Sequence, residues 1–313
     1  MNGLELSRAY FEEFGKPMLE EQFPELLPHL AAGLFGAGSE CFGFDDDISR
    51  DHDFEPGFCL FLPDEEVVDR RAAFQLERAY AKLPKEYEGF SRALIQPVGG
   101  ARHGVFRTSE FFLEHIGSPD GQLTAEQWLT VPDQALAEAT NGTLFFDNRG
   151  DVTAVREALA SFPDDIRRKK LAGHLLLMGQ SGQYNYERCL AHGEPAAAQL
   201  AVGEFVRSAL SVIFLLNNVY QPYYKWAFRT LRDLPVLADL AEPLERLLTT
   251  GNDASIAEEK KALIEQVAAA VIDELRAQEL TLAGCGELES HAYSVNDSIE
   301  DGDLRNLHVL AAV

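Results

Sequence analysis

Two short stretches of this chain carry residue types that suit metal and phosphate chemistry. Gly38-Ser39 forms a tight turn after an apolar run, and Asp51-His52-Asp53-Phe54 follows after eleven further residues. A glycine turn lets backbone N–H groups approach an anionic ligand such as a triphosphate. Carboxylates at i and i+2 of a strand point to one face, where they can share divalent cations that bridge to phosphates. The spacing therefore predicts a site for a metal-bound nucleotide.

A solvated acidic loop is the alternative interpretation of the same stretch. Between Glu40 and Glu66 the chain carries many carboxylates, with Arg50 as the one basic residue. The apolar run 58–62 follows almost at once, which favours a strand at Asp51 and Asp53 over a loop. Arg50 either contacts phosphate or neutralises the acidic segment, and the sequence does not decide between these two roles.

Composition limits the classes of protein that this chain can belong to. It has 313 residues, enough for two domains, and 46% of them are hydrophobic, which permits a sizeable core. The net charge of −24 argues against a broad grip on nucleic acid, which needs a basic patch, but not against a local nucleotide pocket. An acidic field would also attract Mg²⁺.

Compartment is predicted from the cysteines and the apolar segments. The four cysteines form no CxxC pair, so we expect reduced thiols and a cytoplasmic location. Residues 1–8 lack a basic segment followed by an apolar one, so no signal peptide is expected. The strongly apolar stretch at 210–216 is too short to cross a bilayer, and we expect no membrane association.

Hydrophobic periodicity predicts a mixed first half of the chain. Helices are predicted at 4–30, broken by prolines, and at 65–82, and further helices are predicted after caps at Ser109, Thr124 and Pro132. Strands are predicted at 30–35, at the segment with Asp51 and Asp53 that runs into 58–62, at 93–98, at Val105-Phe106 and at 143–146.

The second half is predicted to be helical throughout. Helical spacing dominates 152–180, 195–217, 222–249 and 254–279, and no convincing strand follows Val152. The fold class is therefore α+β: a small mixed sheet with flanking helices, followed by an all-helical domain. We predict domains at 1–150 and 151–313.

Three further clusters could bind a ligand or could simply pack. The basic run 167–170 covers most of a helix circumference, so at least one of its side chains should point toward the protein. Tyr184 and Arg188 share a helical face within a polar patch that could hold a nucleotide or an acceptor, or could form an interhelical network. Lys225 lies in an aromatic cluster, where burial would require a partner such as phosphate.

The motif Gly38-Ser39-x11-Asp51-His52-Asp53-Phe54 resembles the active-site motif of the DNA polymerase β-like nucleotidyltransferase superfamily. Further stretches resemble an uncharacterised bacterial branch, a domain of unknown function with a helical C-terminal half. These stretches are 38–46, 49–54, Thr140-Asn141-Gly142, 180–186 and 220–226. The resemblance covers most of the chain, from the first helix to about Leu231.

The resemblance implies a Mg²⁺-dependent enzyme that moves a nucleoside monophosphate from a nucleoside triphosphate, with ATP as the expected donor, to an acceptor hydroxyl. Carried over by position, Gly38 and Ser39 would hold the triphosphate, and Asp51 and Asp53 would bind the metal. The acidic surface favours a small-molecule or protein acceptor over bulk nucleic acid.

The superfamily usually supplies a third carboxylate from a later strand, and the strand around Val105 has none. Glu110 is the first candidate for that role and Asp147 the second. The missing carboxylate leaves open a catalytically weak or inactive protein that binds nucleotide or regulates a partner. An acidic helical scaffold without nucleotide binding is a third hypothesis.

Overall fold

A computed structural model describes residues 1–46, 55–92 and 102–313. Asp51, Asp53 and Arg50 lie outside these residues, as does the strand predicted at 93–98. The described chain forms two compact units. The first comprises Met1–Leu123 and Val131–Ala160, and the second comprises Thr124–Thr130 and Ser161–Val313. The domain limits of 1–150 and 151–313 stay a prediction.

The first unit combines short strands with helices. Its helices are α1 (Gly3–Tyr10), α2 (Lys16–Gln22), α3 (Arg70–Tyr80), α4 (Thr108–Ile116), α6 (Asp133–Thr140) and α7 (Asp151–Ala158). A π-helical turn, Phe11–Gly15, joins α1 to α2, and short 3₁₀ helices cover Leu27–His29 and Ser39–Phe42. Its strands are β1 (Ala31–Leu34), β2 (Cys59–Leu62), β3 (Glu86–Tyr87), β4 (Phe90–Ser91), β5 (Gly104–Arg107) and β6 (Thr143–Asp147).

Four of these strands form a mixed sheet in the order β5-β2-β1-β6. The central strand β1 pairs antiparallel with β2 and β6, and Gly33 lies opposite Cys59. The edge strand β5 is parallel to β2, with Cys59 opposite Gly104 and Leu62 opposite Arg107. The C-terminal end of β1 therefore lies at the same end of the sheet as the N-terminal ends of β2, β5 and β6.

Both faces of the sheet are covered by apolar side chains. On one face, Leu60 and Leu62 belong to a buried cluster with residues of α1, α2 and α3, such as Tyr10 and Leu76. On the other face, Phe61 stacks on Phe35 at a centroid distance of 4.9 Å. Alternate residues of β2 thus face opposite layers, as the two-residue period of a strand requires.

The second unit is helical throughout its described residues. It contains α5 (Ala125–Thr130), α8 (Asp164–Met178), α9 (Tyr186–Ala191), α10 (Pro195–Leu216), α11 (Tyr224–Leu231), α12 (Ala241–Thr249), α13 (Ala254–Ala277), α14 (Leu288–Asp297) and α15 (Gly302–Asn306). A π-helical segment, Gly179–Asn185, joins α8 to α9. Helices α8, α10 and α14 form its centre, where the side chains of Leu175, Phe205 and Val295 are fully buried.

Within the described chain, α10 alone is long and apolar enough to cross a membrane by length and composition. Of the most apolar 18-residue stretch of this helix, 67% is buried inside the protein. A buried core helix meets the same criterion, so this observation does not separate the two possibilities.

The structure confirms the α+β class, with a mixed sheet and flanking helices followed by a helical region. The strands predicted at 30–35, at Val105-Phe106 and at 143–146 are present. Of the strand predicted to run from Asp51 and Asp53 into 58–62, Cys59–Leu62 is present, but residues 55–58 are not strand. The predicted cap at Ser109 is wrong, because α4 begins one residue earlier and Arg107 occupies the N-cap position. The Ser109 hydroxyl instead donates a hydrogen bond to the Asp64 carboxylate.

Candidate functional site

The two ends of the sheet bring together different sets of residues. We call the end that holds Gly36–Phe42, Glu55–Phe58, Arg102–Gly104 and Asn141–Thr143 the turn end. The opposite end, with Arg107–Glu110 and Asp147–Gly150, is called the far end. Antiparallel pairing of β1 with β2 and β6 places the start of each neighbour beside the end of β1. The turn end is therefore assembled from four separate stretches of sequence.

Gly38 and Ser39 lie at the turn end, where the chain leaves β1. Ser39 begins the 3₁₀ helix Ser39–Phe42 and is only 5% exposed. Its Oγ is buried and has no hydrogen-bond partner among the described residues. A side chain on Gly38 would collide with the carboxylate of Glu40, which folds over its α-carbon. An unpaired buried hydroxyl costs about 1–3 kcal/mol, so Ser39 is suited to a ligand that accepts its hydrogen bond.

Glu55 and His103 form a polar pair beside this turn. The His103 Nδ1 lies 3.3 Å from the Glu55 Oε1, and the two side chains are 6% and 20% exposed. The ring packs so closely on Gly57 that a Cβ there would lie 2.6 Å from the His103 Cγ. Glu55 follows Asp53, a predicted metal ligand, by two residues in the sequence.

Residues 56–58 are held from two sides. The Ser7 hydroxyl donates to the Gly57 carbonyl at 2.6 Å, and the Arg92 Nε donates to the Pro56 carbonyl at 3.2 Å. The hydroxyl of Tyr80 donates to the Phe58 carbonyl and accepts from the Phe58 N–H. Burial raises the pKa of Tyr80, which keeps this hydroxyl protonated.

Glu40 gives the turn end a buried negative charge. Glu40 is only 5% exposed. It lies close enough to the thiols of Cys41 and Cys59 for its charge to change their pKa values. Burial and the charge of Glu40 raise the pKa of Cys59 to about 12 and that of Cys41 well above its usual value. Both thiols therefore stay protonated at neutral pH in the metal-free protein.

Asn141 and Gly142 tie the turn to the start of β6. The Asn141 side chain accepts from the Gly36 N–H at 2.9 Å and donates to the Gly36 carbonyl at 2.8 Å. The Gly142 N–H donates to the Cys41 carbonyl at 3.0 Å. Gly142 has φ +60°, and a Cβ there would collide with the Leu34 carbonyl oxygen. The Thr140-Asn141-Gly142 stretch is thus part of the turn end.

Arg156 of α7 supports this connection from behind. Its Nη2 donates to the carbonyls of Thr140 and Asn141, at 2.6 and 2.7 Å, and its guanidinium lies 4.8 Å from the centroid of the Phe35 ring. No carboxylate in the described chain pairs with it, and its Nη1 is buried without a partner. Burial lowers the pKa of Arg156 from its usual value.

The two candidates for a third carboxylate lie at the far end. Glu110 is exposed in the first turn of α4, beyond the C-terminal end of β5, and lines an open groove of about 350 Å³ with Glu65, Glu77 and Glu114. Asp147 ends β6, and its carboxylate accepts hydrogen bonds from the N–H groups of Gly150 and Thr153. The structure does not bring either residue to Gly38 and Ser39.

Tyr184, Arg188 and Lys225 belong to the helical unit. Tyr184 is 58% exposed, and the guanidinium of Arg188 lies 4.9 Å from the centroid of its ring. Lys225 is exposed, and its Nζ lies 4.8 Å from the centroid of the Trp226 ring. All three are accessible side chains that form local cation–π pairs, and their predicted roles in nucleotide binding stay predictions.

Other polar groups of the helical unit support the fold. Lys169 and Lys170 are buried, as the helical geometry of the basic run predicted. The Lys169 Nζ donates to the Asn296 Oδ1 at 2.8 Å and to the Leu307 carbonyl at 2.7 Å. Gln183 bonds to Glu265 and to the Leu288 N–H. These contacts connect helices to one another.

Several turn-end residues escaped the sequence analysis. Glu40 and Glu55 were visible only as members of an acidic run, and His103, Arg102 and Arg156 had no motif around them. Asn141 was noticed as part of a distinctive stretch, without a role. Two of them make contacts between residues far apart in sequence: His103 lies 48 positions after Glu55, and Asn141 lies 105 positions after Gly36. Local patterns do not carry that information.

Comparison with known proteins gives a coarse result. The family model "Domain of unknown function (DUF4037)" matches residues 128–227, from α5 to α11. No curated protein matches the chain. A solved structure, a nucleotidyltransferase-like protein from Exiguobacterium sibiricum 255-15, is similar over 92% of this chain and 81% of its own, with 11% identity and a TM-score of 0.38.

Proposed function

We propose that this protein is a Mg²⁺-dependent nucleotidyltransferase. It transfers a nucleoside monophosphate from a nucleoside triphosphate, with ATP as the proposed donor, to a hydroxyl of a small molecule or a protein. The observation that carries the proposal is the buried, unpaired Ser39 hydroxyl in a glycine turn at the turn end. Such a group is unusual in a folded protein and suits a phosphate oxygen.

The predicted metal ligands are close in sequence to a residue of the turn end. Asp53 precedes Glu55 by two residues, and Glu55 is fixed there by His103. Asp51 and Asp53 would hold Mg²⁺, and the chemistry that this ion would supply is neutralisation of negative charge on the phosphate oxygens. Arg50 is proposed to contact the triphosphate.

In the proposed step, the acceptor oxygen attacks the α-phosphorus and forms a new O–P bond. The bond from the α-phosphorus to the oxygen that bridges to the β-phosphorus breaks, and pyrophosphate leaves with that electron pair. The hydroxyl proton passes to a base or to water. Glu110 stays a prediction for that base; its place at the far end does not support the role.

A nucleotide-binding protein with weak or no catalysis is the second candidate. It is favoured by β5, which contains Gly104, Val105, Phe106 and Arg107 and therefore no carboxylate. Asp147, the other sequence candidate, is occupied by its bonds to the start of α7. On this alternative the turn end binds nucleotide and regulates a partner.

Pyrophosphate release and transfer of label from α-labelled ATP separate the two candidates. The purified protein is tested alone and with a panel of hydroxyl acceptors and serine-, threonine- and tyrosine-containing proteins. Asp51→Asn with Asp53→Asn should lower transfer by about a hundredfold or more while the protein stays folded. Asp147→Asn, at the far end, is the matched control and should leave transfer unchanged. Binding of MgATP without any transfer would favour the regulatory alternative.

A further inference from the structure

The Asn141 side chain holds the turn that leads to Gly38 and Ser39 in one conformation. It bonds to both backbone groups of Gly36, whose φ of +133° is accessible mainly to glycine. The two hydrogen bonds hold the two peptide groups that flank the Gly36 α-carbon, and so they fix its backbone dihedral angles. A residue with this backbone freedom would otherwise sample several conformations, which would cost entropy when a ligand binds.

Gly142 fixes the other side of the same turn. Its N–H bonds to the Cys41 carbonyl, within the 3₁₀ helix that Ser39 begins. Asn141 and Gly142 therefore hold the chain both before and after Gly38-Ser39. The contact requires glycine, since any side chain at 142 would meet the Leu34 carbonyl oxygen.

Arg156 contributes a positive charge in addition to its hydrogen bonds to the Thr140 and Asn141 carbonyls. A neutral donor would be enough to bond the Thr140 and Asn141 carbonyls, and a buried guanidinium without a carboxylate is costly. Within the part of the chain that the structure describes, this cation has no acidic partner, and one of its terminal nitrogens has no hydrogen bond. The positive charge of Arg156 behind the turn offsets the buried negative charge of Glu40 and favours a phosphate group on the turn, because the buried surroundings screen these interactions weakly.

We propose that Asn141, Gly142 and Arg156 are positioning residues that set the affinity of the Gly38-Ser39 turn for the phosphate groups of the nucleotide. Asn141 and Gly142 fix the turn's backbone, and Arg156 holds them in place and supplies positive potential. The inference rests on the proposed function, because it assigns the triphosphate to this turn. On this inference, the Thr140-Asn141-Gly142 stretch helps the protein to bind a nucleoside triphosphate more tightly than a nucleoside monophosphate.

The test compares ATP with AMP in calorimetric titrations of the full chain with Mg²⁺. Asn141→Ala should weaken ATP binding by roughly tenfold or more and AMP binding much less, because the turn acts on the phosphates. Asn148→Ala is the matched control: its side-chain amide also bonds to a backbone carbonyl, that of Leu27, but at the far end. It should leave both affinities unchanged.

Arg156 is tested by two substitutions that separate charge from geometry. Arg156→Lys keeps the charge but loses the planar fork that serves two carbonyls, and should give an intermediate ATP affinity. Arg156→Met should weaken ATP binding most. A merely structural role would lower the unfolding temperature and leave the ratio of ATP to AMP affinity as in the wild type.

Amide hydrogen exchange tests directly whether Asn141 holds the backbone of the turn, and it does so even where a variant is less stable. Peptides covering residues 36–43 should exchange faster in Asn141→Ala and at the wild-type rate in Asn148→Ala. A wild type that binds no nucleotide overturns the proposed function. A wild type that binds MgATP, with Asn141→Ala and Arg156→Met binding it equally well and with the same preference over AMP, overturns the positioning inference alone.

Discussion

The turn end and the far end of the same four-stranded sheet differ in how their polar groups are used. At the far end, the Asp147 carboxylate accepts bonds from the start of α7, and the Arg107 guanidinium donates to the carbonyls of Pro63 and Val68. At the turn end, the Ser39 hydroxyl and one nitrogen of Arg156 are buried without partners.

The polar groups of the far end stabilise the fold, whereas those of the turn end are better explained by ligand binding. Burying a polar group without a partner is unfavourable, so a fold selected only for stability would satisfy or remove it. The far end behaves in that way. The turn end keeps unpaired groups next to backbone that is held by hydrogen bonds from Asn141 and Gly142. This arrangement is expected of a ligand site, where polar groups are kept for the ligand at a cost in stability.

The largest expected effect comes from the glycines on either side of β6. Gly142→Ala should lower the free energy of unfolding by about 3 kcal/mol or more, because the new Cβ meets backbone atoms that cannot move independently. Gly150→Ala, at the far end, also has positive φ but meets nothing within 4 Å. It should cost about 1 kcal/mol. Denaturant unfolding of both variants measures the contrast; equal losses would contradict the tight approach at the turn end.

Asp147→Ala should have the next largest effect on stability and none on binding. Losing the bonds to Gly150, Thr153 and the Thr153 hydroxyl should cost about 1–2 kcal/mol. The affinity for MgATP should stay at the wild-type value. A drop in affinity, with the protein folded at the assay temperature, would move Asp147 into the ligand site and blur the contrast between the two ends.

Hydroxyl removal should affect the two ends in opposite ways. Ser39→Ala removes a buried donor that has no described partner, so the free energy of unfolding should stay constant or rise by up to about 1 kcal/mol. Thr108→Val, at the far end, loses the bond from its hydroxyl to the Leu62 carbonyl and should cost about 1 kcal/mol. Nucleotide affinity should fall only for Ser39→Ala. A Ser39→Ala protein that is clearly less stable would show that the hydroxyl already has a structural partner.

Thiol labelling gives the smallest effect and reports on the turn end directly. Cys285 is exposed and should react first with a thiol reagent, followed by the partly buried Cys189. Cys41 and Cys59 are buried, and their raised pKa values keep them protonated, so they should react only when the structure opens. Asn141→Ala should shorten the labelling time of Cys41. Rapid labelling of Cys41 in the wild type would argue against a fixed turn.

Sequence patterns predicted the positions of the strands in the sheet better than they predicted the residues at which helices begin. The apolar runs at 30–35, 58–62 and 143–146 are short, bounded by glycine or acidic residues, and too short for helices. The cap at Ser109 was predicted wrongly, because a serine before an acidic residue is a local signal, whereas Arg107 ends β5 and starts α4 at once. The hairpin of β3 and β4 has two-residue strands, which leave no periodicity to detect.

Part of the site could be predicted, for a specific physical reason. Gly38 and Ser39 are adjacent, and a turn with a small polar residue has a local signature. The partners of that turn could not be found in the same way. Asn141 bonds to a residue 105 positions earlier, and His103 bonds to one 48 positions earlier. Such pairs follow from strand order and register, which sequence periodicity does not determine.

The most direct test of the account is a calorimetric titration of the wild-type protein with ATP, with and without Mg²⁺. We expect binding that requires Mg²⁺, that is lost in Asp51→Asn and weakened in Ser39→Ala, and that is unchanged in Asp147→Asn. Failure of all four common triphosphates to bind in the presence of Mg²⁺, or equal binding by Asp51→Asn and the wild type, would contradict a metal-dependent nucleotide site at the turn end.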